Sequence, residues 1–176
     1  MKQDNLGLLI CGFSGIGKTT LGKKYDNIAE IGQSLFRNIY LDEKAYTMDR
    51  EYRKNLKTGI LPNPDWPMNY VNKINELRMD HDIVLVFTDI ELMDTFRKLN
   101  IPFLIALPTK DRKEEFLMNF QNRGQDADFC ADARRHWERR IDRLLAMPEE
   151  KIILKEGQYL EDRLIELGYL CSKTNN

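Results

Sequence analysis

The chain has 176 residues, 42% hydrophobic and 31% charged, which is enough to bury the core of one globular domain. Its 27 basic residues nearly balance 28 acidic ones, so the net charge of −1 provides no global attraction to nucleic acid or to an anionic membrane. Three cysteines without CxxC spacing and only two histidines argue against a structural zinc site and favour a reduced, intracellular protein.

The first predicted strand is the apolar run Leu6–Cys11, which is too short for a signal-peptide core or a membrane span. We therefore expect a cytoplasmic protein without a targeting segment. A helix is predicted over Lys18–Tyr25, and the second strand over either Asn27–Ile31 or Arg37–Leu41. The range 36–67 is punctuated by prolines and predicts an excursion from the core, of the kind that often carries function.

The second half of the chain alternates strands with helices. A helix is predicted over 69–79 and a strand over 83–87, and Thr88-Asp89-Ile90-Glu91 then has capping-box spacing before a helix with the core stripe Leu92, Phe96 and Leu99. The remaining predicted elements are strand 102–107, helix 111–122, helix 129–147, strand 151–154 and helix 159–167. This alternation predicts a single α/β domain over 1–176 with a parallel sheet covered on both faces.

One motif points directly to chemistry. Gly12-Phe13-Ser14-Gly15-Ile16-Gly17-Lys18-Thr19 satisfies G-x-x-x-x-G-K-[ST] and lies between a predicted strand and a predicted helix. Glycines allow the backbone to aim successive N–H groups at phosphate oxygens, while the lysine bridges phosphates and the hydroxyl binds Mg²⁺. The expected cofactors are ATP and Mg²⁺, with ATP contacts from Gly12, Ser14, Gly15, Ile16, Gly17, Lys18, Thr19 and Thr20.

The tighter spacing G-x-x-G-x-G-K-T resembles the loop of small P-loop kinases, and the guanine-reading N-K-x-D motif of GTPases is absent. The segment Asn63–Tyr70 and Asn122-Arg123-Gly124 ahead of Trp137 are similar to phage-type proteins grouped with deoxynucleoside monophosphate kinases. This resemblance implies a three-layer P-loop fold with a five-stranded parallel sheet and a helical lid over about 111–147. The loop subtype, the size of the chain and the arginine-rich lid region favour, as a first hypothesis, transfer of the ATP γ-phosphate to a (deoxy)nucleoside monophosphate.

Phosphoryl transfer needs positive charge beyond the loop lysine, and the lid region is rich in arginine. We expect Lys18, Arg123 and at least one of Arg134 and Arg135 to act in catalysis. The neighbouring Arg139, Arg140 and Arg143 are predicted to form a solvated charged face of the long helix, together with acidic intrahelical partners.

The second metal ligand after Thr19 is expected to be Asp89, near the end of the strand over 83–87, although the capping pattern offers Asp89 a purely structural role. For the acceptor, Glu30 and Ser34 lie at the carboxyl edge if Asn27–Ile31 is strand two. Asp42 takes that place if Arg37–Leu41 is strand two.

The proline-rich excursion supplies two further acceptor candidates. Asp65 and Trp66 are predicted to close over a nucleobase, and the alternative for Trp66 is an anchor that fixes the loop to the core.

Three functions remain open from the sequence. The first is the nucleotide kinase, acting on a small-molecule nucleotide as a monomer or homodimer without membrane association. The second is a kinase of the same fold that phosphorylates a nucleoside, a metabolite, or a hydroxylated base or 5′ end in DNA, which leaves nucleic acid as an alternative partner. The third is a nucleotide-binding regulatory ATPase.

Overall fold

The structure is a computed structural model that describes residues 6–171. Its elements follow in chain order as β1 (Leu8–Gly12), α1 (Lys18–Lys24), β2 (Ile28–Glu30), α2 (Ser34–Arg37), β3 (Asn38–Tyr40), a 3₁₀ turn (Glu43–Tyr46), α3 (Arg50–Asn55), β4 (Ile60–Pro62), α4 (Met68–Asp80), β5 (Ile83–Phe87), α5 (Ile90–Lys98), β6 (Leu104–Pro108), a second 3₁₀ turn (Lys110–Arg112), α6 (Lys113–Asn122), α7 (Ala127–Leu145), β7 (Lys151–Leu154) and α8 (Leu160–Glu166).

Five strands form a parallel sheet in the order β2-β5-β1-β6-β7. Successive residues of β1 and β5, including Leu9, Ile10, Val84 and Leu85, are all buried. Because neighbouring side chains of a strand point to opposite faces, helices must cover both faces of this sheet. The predicted α/β class and the five-stranded parallel sheet are thereby confirmed.

The structure decides between the two candidates for strand two. Ile28–Glu30 pairs with β5 in the main sheet, so Asn27–Ile31 was the correct alternative. Arg37–Leu41 contributes β3 instead, which pairs antiparallel with β4 in a separate two-stranded hairpin. The hairpin belongs to the predicted excursion over 36–67, and Pro62 tolerates this edge position because its missing N–H is not needed there.

The helix after β5 differs from its prediction in two details. Its N-cap is Asp89, whose Oδ1 accepts the Leu92 N–H at 3.2 Å, so the cap falls one residue later than the capping-box pattern with Thr88 suggested. Leu92 and Phe96 are buried as expected, but Leu99 is 44% exposed because the helix has already ended at Lys98. Met93 takes the third core position.

Helices α6 and α7 form the predicted helical pair after β6. The expected core stripes are confirmed, since Phe116, Leu117, Phe120, Ala133, Trp137, Ile141 and Leu144 are all buried. Gly124 has φ of 71° after α6, as a helix C-terminal glycine does. Even the 19-residue α7 is amphipathic, and within residues 6–171 no helix combines the length and apolarity needed to cross a bilayer.

Candidate functional site

The glycine-rich loop connects β1 to α1 at the carboxyl edge of the sheet. Gly15 has φ of 83° and Gly17 has φ of 99°, both in the region that residues with a Cβ rarely adopt. Positive φ therefore accounts for glycine at two of the three spaced positions of the tighter pattern G-x-x-G-x-G-K-T. The chain turns back on itself here and enters α1 directly at Lys18.

The loop leaves several main-chain donors unused. No acceptor within residues 6–171 receives the N–H groups of Ser14, Gly15, Ile16 and Gly17, whereas the preceding Phe13 N–H bonds to Ala106 O of β6 at 2.8 Å. Unpaired backbone N–H groups are rare in folded proteins unless water or a ligand satisfies them. Four consecutive free donors in a tight turn are suited to bind an anion.

The ammonium of Lys18 lies across the same loop. Its Nζ donates to Gly12 O and Phe13 O, both at 2.7 Å, and lies 5.6 Å from the centre of the Phe87 ring at the end of β5. Burial lowers the pKa of Lys18 from 10.5 to about 8, an effect that the charge of Arg50 increases and that of Glu30 opposes. An ammonium group has three N–H donors, and the two carbonyl oxygens accept two of them. The third N–H is therefore available for an anion.

The loop is supported by packing from three helices. A Cβ added at Gly15 would lie 2.8 Å from the Phe120 ring of α6, so the loop and this helix are in close contact. Leu160 N–H at the start of α8 donates to Ile16 O at 3.0 Å, and the Phe13 ring packs edge-on against Trp137 of α7 at 5.3 Å. The loop is therefore held in place before any ligand arrives.

A cavity of about 670 Å³, which we call the phosphate-loop cavity, opens beside the loop. Its walls combine aromatic rings, arginines and polar groups from the loop, from the end of β5 and from α6 and α7: Phe13, Ser14, Phe87, Thr88, Asp89, Ile90, Phe120, Phe129, Asp132, Ala133, Trp137, Arg139, Arg140, Arg143 and Leu144. Rings suit a planar base and guanidinium groups suit phosphate, so this lining matches the two halves of a nucleotide.

The arginines that line this cavity are not those that the sequence analysis predicted to act in catalysis. Arg139, Arg140 and Arg143 line it; all three are also exposed, as the predicted solvated face requires, and Arg140 pairs with Asp132 of the same helix. Arg134 instead makes a two-point contact with Glu114 across α6 and α7, at 2.8 and 2.9 Å.

Arg123 is the exposed C-cap of α6, and Arg135 is exposed on α7 without a hydrogen bond to any described residue. A signal for the cavity arginines existed in the sequence. Arg140 and Arg143 each precede a core position of α7, so both flank the buried stripe.

Asp89 lies at the end of β5, as predicted, and lines the phosphate-loop cavity. Both of its carboxylate oxygens are engaged: Oδ1 caps α5, and Oδ2 receives Arg37 Nη1 at 2.6 Å. The capping role is therefore confirmed. The metal role stays a prediction.

The acceptor candidates near strand two occupy different environments. Glu30 ends β2 at the carboxyl edge, and its carboxylate has no hydrogen-bond or ion-pair partner among the described residues. Ser34 begins α2 close by in the chain. Asp42 was a candidate only if Arg37–Leu41 were strand two, and that premise is wrong; its carboxylate accepts from Lys44 N–H and Tyr52 OH within the excursion.

Trp66 is anchored on several sides. Its Nε1 donates to Glu91 at 2.8 Å, its ring stacks on Tyr70 with a centroid distance of 5.6 Å, and the Arg37 guanidinium lies 5.1 Å from its ring centre. The anchoring alternative is thus realised. Asp65 is exposed, and only its main chain is bonded, to Asn63 and Asn69.

The residues present suit magnesium more than a tightly coordinated metal. No group of three His, Cys, Asp or Glu side chains within residues 6–171 is arranged to hold an ion. Mg²⁺ is commonly bound through one or two protein oxygens, with substrate phosphates and water completing its shell. The hard oxygen donors for such an ion are the Thr19 hydroxyl, exposed in the first turn of α1, and the Asp89 carboxylate, which in this structure pairs with Arg37.

No protein-family model matches this chain, and a search of curated proteins finds none that is significantly similar to it.

Proposed function

We propose that the protein is an ATP-dependent phosphotransferase of the P-loop class. The observation that carries this proposal is the row of four free N–H groups from Ser14 to Gly17, closed by the Lys18 ammonium. Such a ring of donors is complementary to the β- and γ-phosphates of a nucleoside triphosphate. The parallel sheet supports it further, because ligands of open α/β sheets gather at the carboxyl ends of the strands.

Each residue has a definable role in this proposal. The loop amides hold the phosphates, Lys18 moves from the carbonyls of Gly12 and Phe13 to the β- and γ-oxygens, and Thr19 offers its hydroxyl to Mg²⁺. Magnesium supplies charge neutralisation of the transferring phosphoryl group. Among the lid arginines, Arg139 and Arg143 have no hydrogen bond to a described residue and face the cavity, so both are free to contact phosphate.

The acceptor in the proposal is a nucleotide, most simply a (deoxy)nucleoside monophosphate. The phosphate-loop cavity supports this choice because it offers rings such as Phe129 for a base beside guanidinium groups for the transferring phosphate. A phosphate acceptor carries its own nucleophilic oxygen, so the enzyme would need no general base.

A hydroxyl acceptor is the second candidate, and Glu30 is the observation that favours it. This carboxylate is unpaired at the end of β2, close enough to Lys18 to raise its pKa. A carboxylate in that place is suited to take the proton of an attacking hydroxyl. Nucleosides and hydroxylated DNA would belong to this class of acceptor.

The test is a phosphate-transfer assay with labelled ATP and Mg²⁺ over nucleoside monophosphates, nucleosides and hydroxylated oligonucleotides. Product on the monophosphates supports the first candidate, whereas product on hydroxyl acceptors that disappears in Glu30→Gln supports the second. ATP binding is measured in parallel for the wild type, Lys18→Ala and the control Lys73→Ala on the exposed side of α4. If the wild type fails to bind ATP with Mg²⁺, the phosphotransferase proposal is rejected.

A further inference from the structure

A second cavity lies at the base of the β3–β4 hairpin. It measures about 380 Å³ and is called here the hairpin cavity; its lining residues are Arg37, Asn38, Ile60, Leu61, Pro62, Asn63 and Trp66. Arg37 is the sole charged residue of this lining. A guanidinium between amide and apolar side chains is suited to an anionic group carried by a partly apolar molecule.

Arg37 also links this cavity to the phosphate-loop cavity, because its ion-pair partner Asp89 lines the latter. Its Nη1 lies 2.6 Å from Asp89 Oδ2, its Nη2 lies 3.7 Å from Glu91, and its guanidinium rests on the Trp66 ring. The side chain of Arg37 is 43% exposed, whereas that of Asp89 is 13% exposed. One ion pair therefore has its cation in the hairpin cavity and its anion in the phosphate-loop cavity.

This ion pair opposes the metal role expected of Asp89. Oδ2 is held by Arg37 and Oδ1 caps α5, so neither oxygen is unoccupied. Solvent screens this ion pair on the side of its exposed cation, whereas a guanidinium binds a phosphate through two parallel, charge-assisted hydrogen bonds. A phosphate in the hairpin cavity would therefore compete successfully with Asp89 for Arg37.

We propose that the hairpin cavity binds an anionic group of the acceptor through Arg37, and that this contact draws Arg37 away from Asp89 and frees its Oδ2 for Mg²⁺. Arg37 is then a positioning residue, which keeps the metal site incomplete until the acceptor is present. Assembly of a catalytic site by the correct substrate limits the transfer of phosphate to water. The inference rests on the proposed phosphotransferase function.

Trp66 provides a readout of the first half of the proposal. We expect inorganic phosphate, and more strongly deoxyadenosine 5′-monophosphate, to change the Trp66 emission saturably, because a charged group leaves the face of its ring. The Trp66 contribution is the difference between the wild type and Trp66→Phe. Arg37→Met should abolish the change, whereas Lys57→Met, which removes another positive charge of the excursion, should retain it.

The second half of the proposal, the release of Asp89 for Mg²⁺, predicts a change in how magnesium affects ATP binding. In the absence of an acceptor, we compare the ATP affinity measured with Mg²⁺ to that measured with EDTA. This ratio should be at least about fivefold higher in Arg37→Met than in the wild type, because the substitution releases Asp89. Arg37→Met combined with Asp89→Asn should return the ratio to the wild-type value. Asparagine is also a good N-cap, so the double variant preserves α5.

The outcomes separate this inference from the proposed function. Phosphate titration of Trp66 is repeated in Lys18→Ala, where a retained response locates the anion in the hairpin cavity independently of the phosphate loop. If ATP binds normally but phosphate leaves Trp66 emission unchanged, or Arg37→Met leaves the magnesium ratio unchanged, the inference is wrong while the phosphotransferase proposal survives. Loss of ATP binding in the wild type removes both.

Discussion

The pKa of Lys18 predicts that nucleotide binding takes up a proton. Burial lowers this pKa to about 8 in the free protein. Bound phosphates would surround the ammonium with negative charge, which favours the charged form and raises the pKa. Because the free protein loses the proton above about pH 8 and the complex keeps it, ATP affinity should fall as pH rises through this range.

The size of the effect follows from the same value. With a pKa of about 8, nearly all free molecules carry charged Lys18 at pH 6.5, and about one in thirty does so at pH 9.5. ATP affinity should therefore fall about thirtyfold between these two pH values. Near pH 8, about half a proton should be taken up for each ATP bound.

Isothermal titration calorimetry in two buffers with different heats of ionisation measures this uptake directly. Lys18→Arg is the matched control, because its guanidinium stays charged to above pH 12 and should remove the pH dependence. Wild-type affinity that is constant between pH 6.5 and 9.5, with no difference in heat between the buffers, would refute the reasoning.

Three further predictions concern the same site. Lys18→Met should stabilise the ligand-free protein at pH 7 by about 1–3 kcal/mol in chemical unfolding, since a pKa lowered from 10.5 to about 8 corresponds to a cost of about 3 kcal/mol, partly offset by the lost carbonyl bonds. Gly15→Ala should weaken ATP binding by about tenfold or more in direct titration, because the new methyl group meets Phe120 and φ is positive. Arg143→Met should lower phosphate transfer by about 100-fold in the turnover assay, and Arg134→Met much less, because Glu114 already holds Arg134.

Each of these three predictions has an outcome that would contradict it. A Lys18→Met variant less stable than the wild type would mean that the carbonyl bonds outweigh desolvation. The gain in the free energy of unfolding from Lys18→Met should also shrink as pH rises from about 8 toward 10.5. In that range the unfolded wild type still holds the Lys18 proton that the folded wild type has lost, so the stability of the wild type rises with pH relative to that of the variant. Equal ATP affinity in Gly15→Ala, or equal turnover in the two arginine variants, would contradict the other two.

The sequence predicted the sheet and the loop well, and for one physical reason. Parallel strands buried on both faces are continuous apolar runs, such as Ile83–Phe87, and these runs are visible without knowledge of the partners. The loop was equally visible because positive φ at Gly15 and Gly17 restricts the residue type at fixed spacing. In both cases the constraint is local.

The arginines of α7 show where local information ends. Arg140 and Arg143 flank the buried stripe, but whether the exposed Arg139 also lines the phosphate-loop cavity depends on how α7 rotates against α6 and the sheet, which no short pattern encodes. Arg50 is a similar case: it begins α3 in the excursion, yet its charge lowers the pKa of Lys18. That proximity depends on how the whole excursion folds back toward the sheet edge.

The loop combines several features that each oppose folding. Two glycines lose their backbone freedom, four main-chain donors have no partner within residues 6–171, and the Lys18 ammonium is desolvated. None of these contributes to core packing, which Phe120, Leu160 and Trp137 provide around the loop. A polyanion would satisfy the donors and the ammonium at once. Under the proposed function, these features act as preorganisation for such a ligand, held in place by the packing around them.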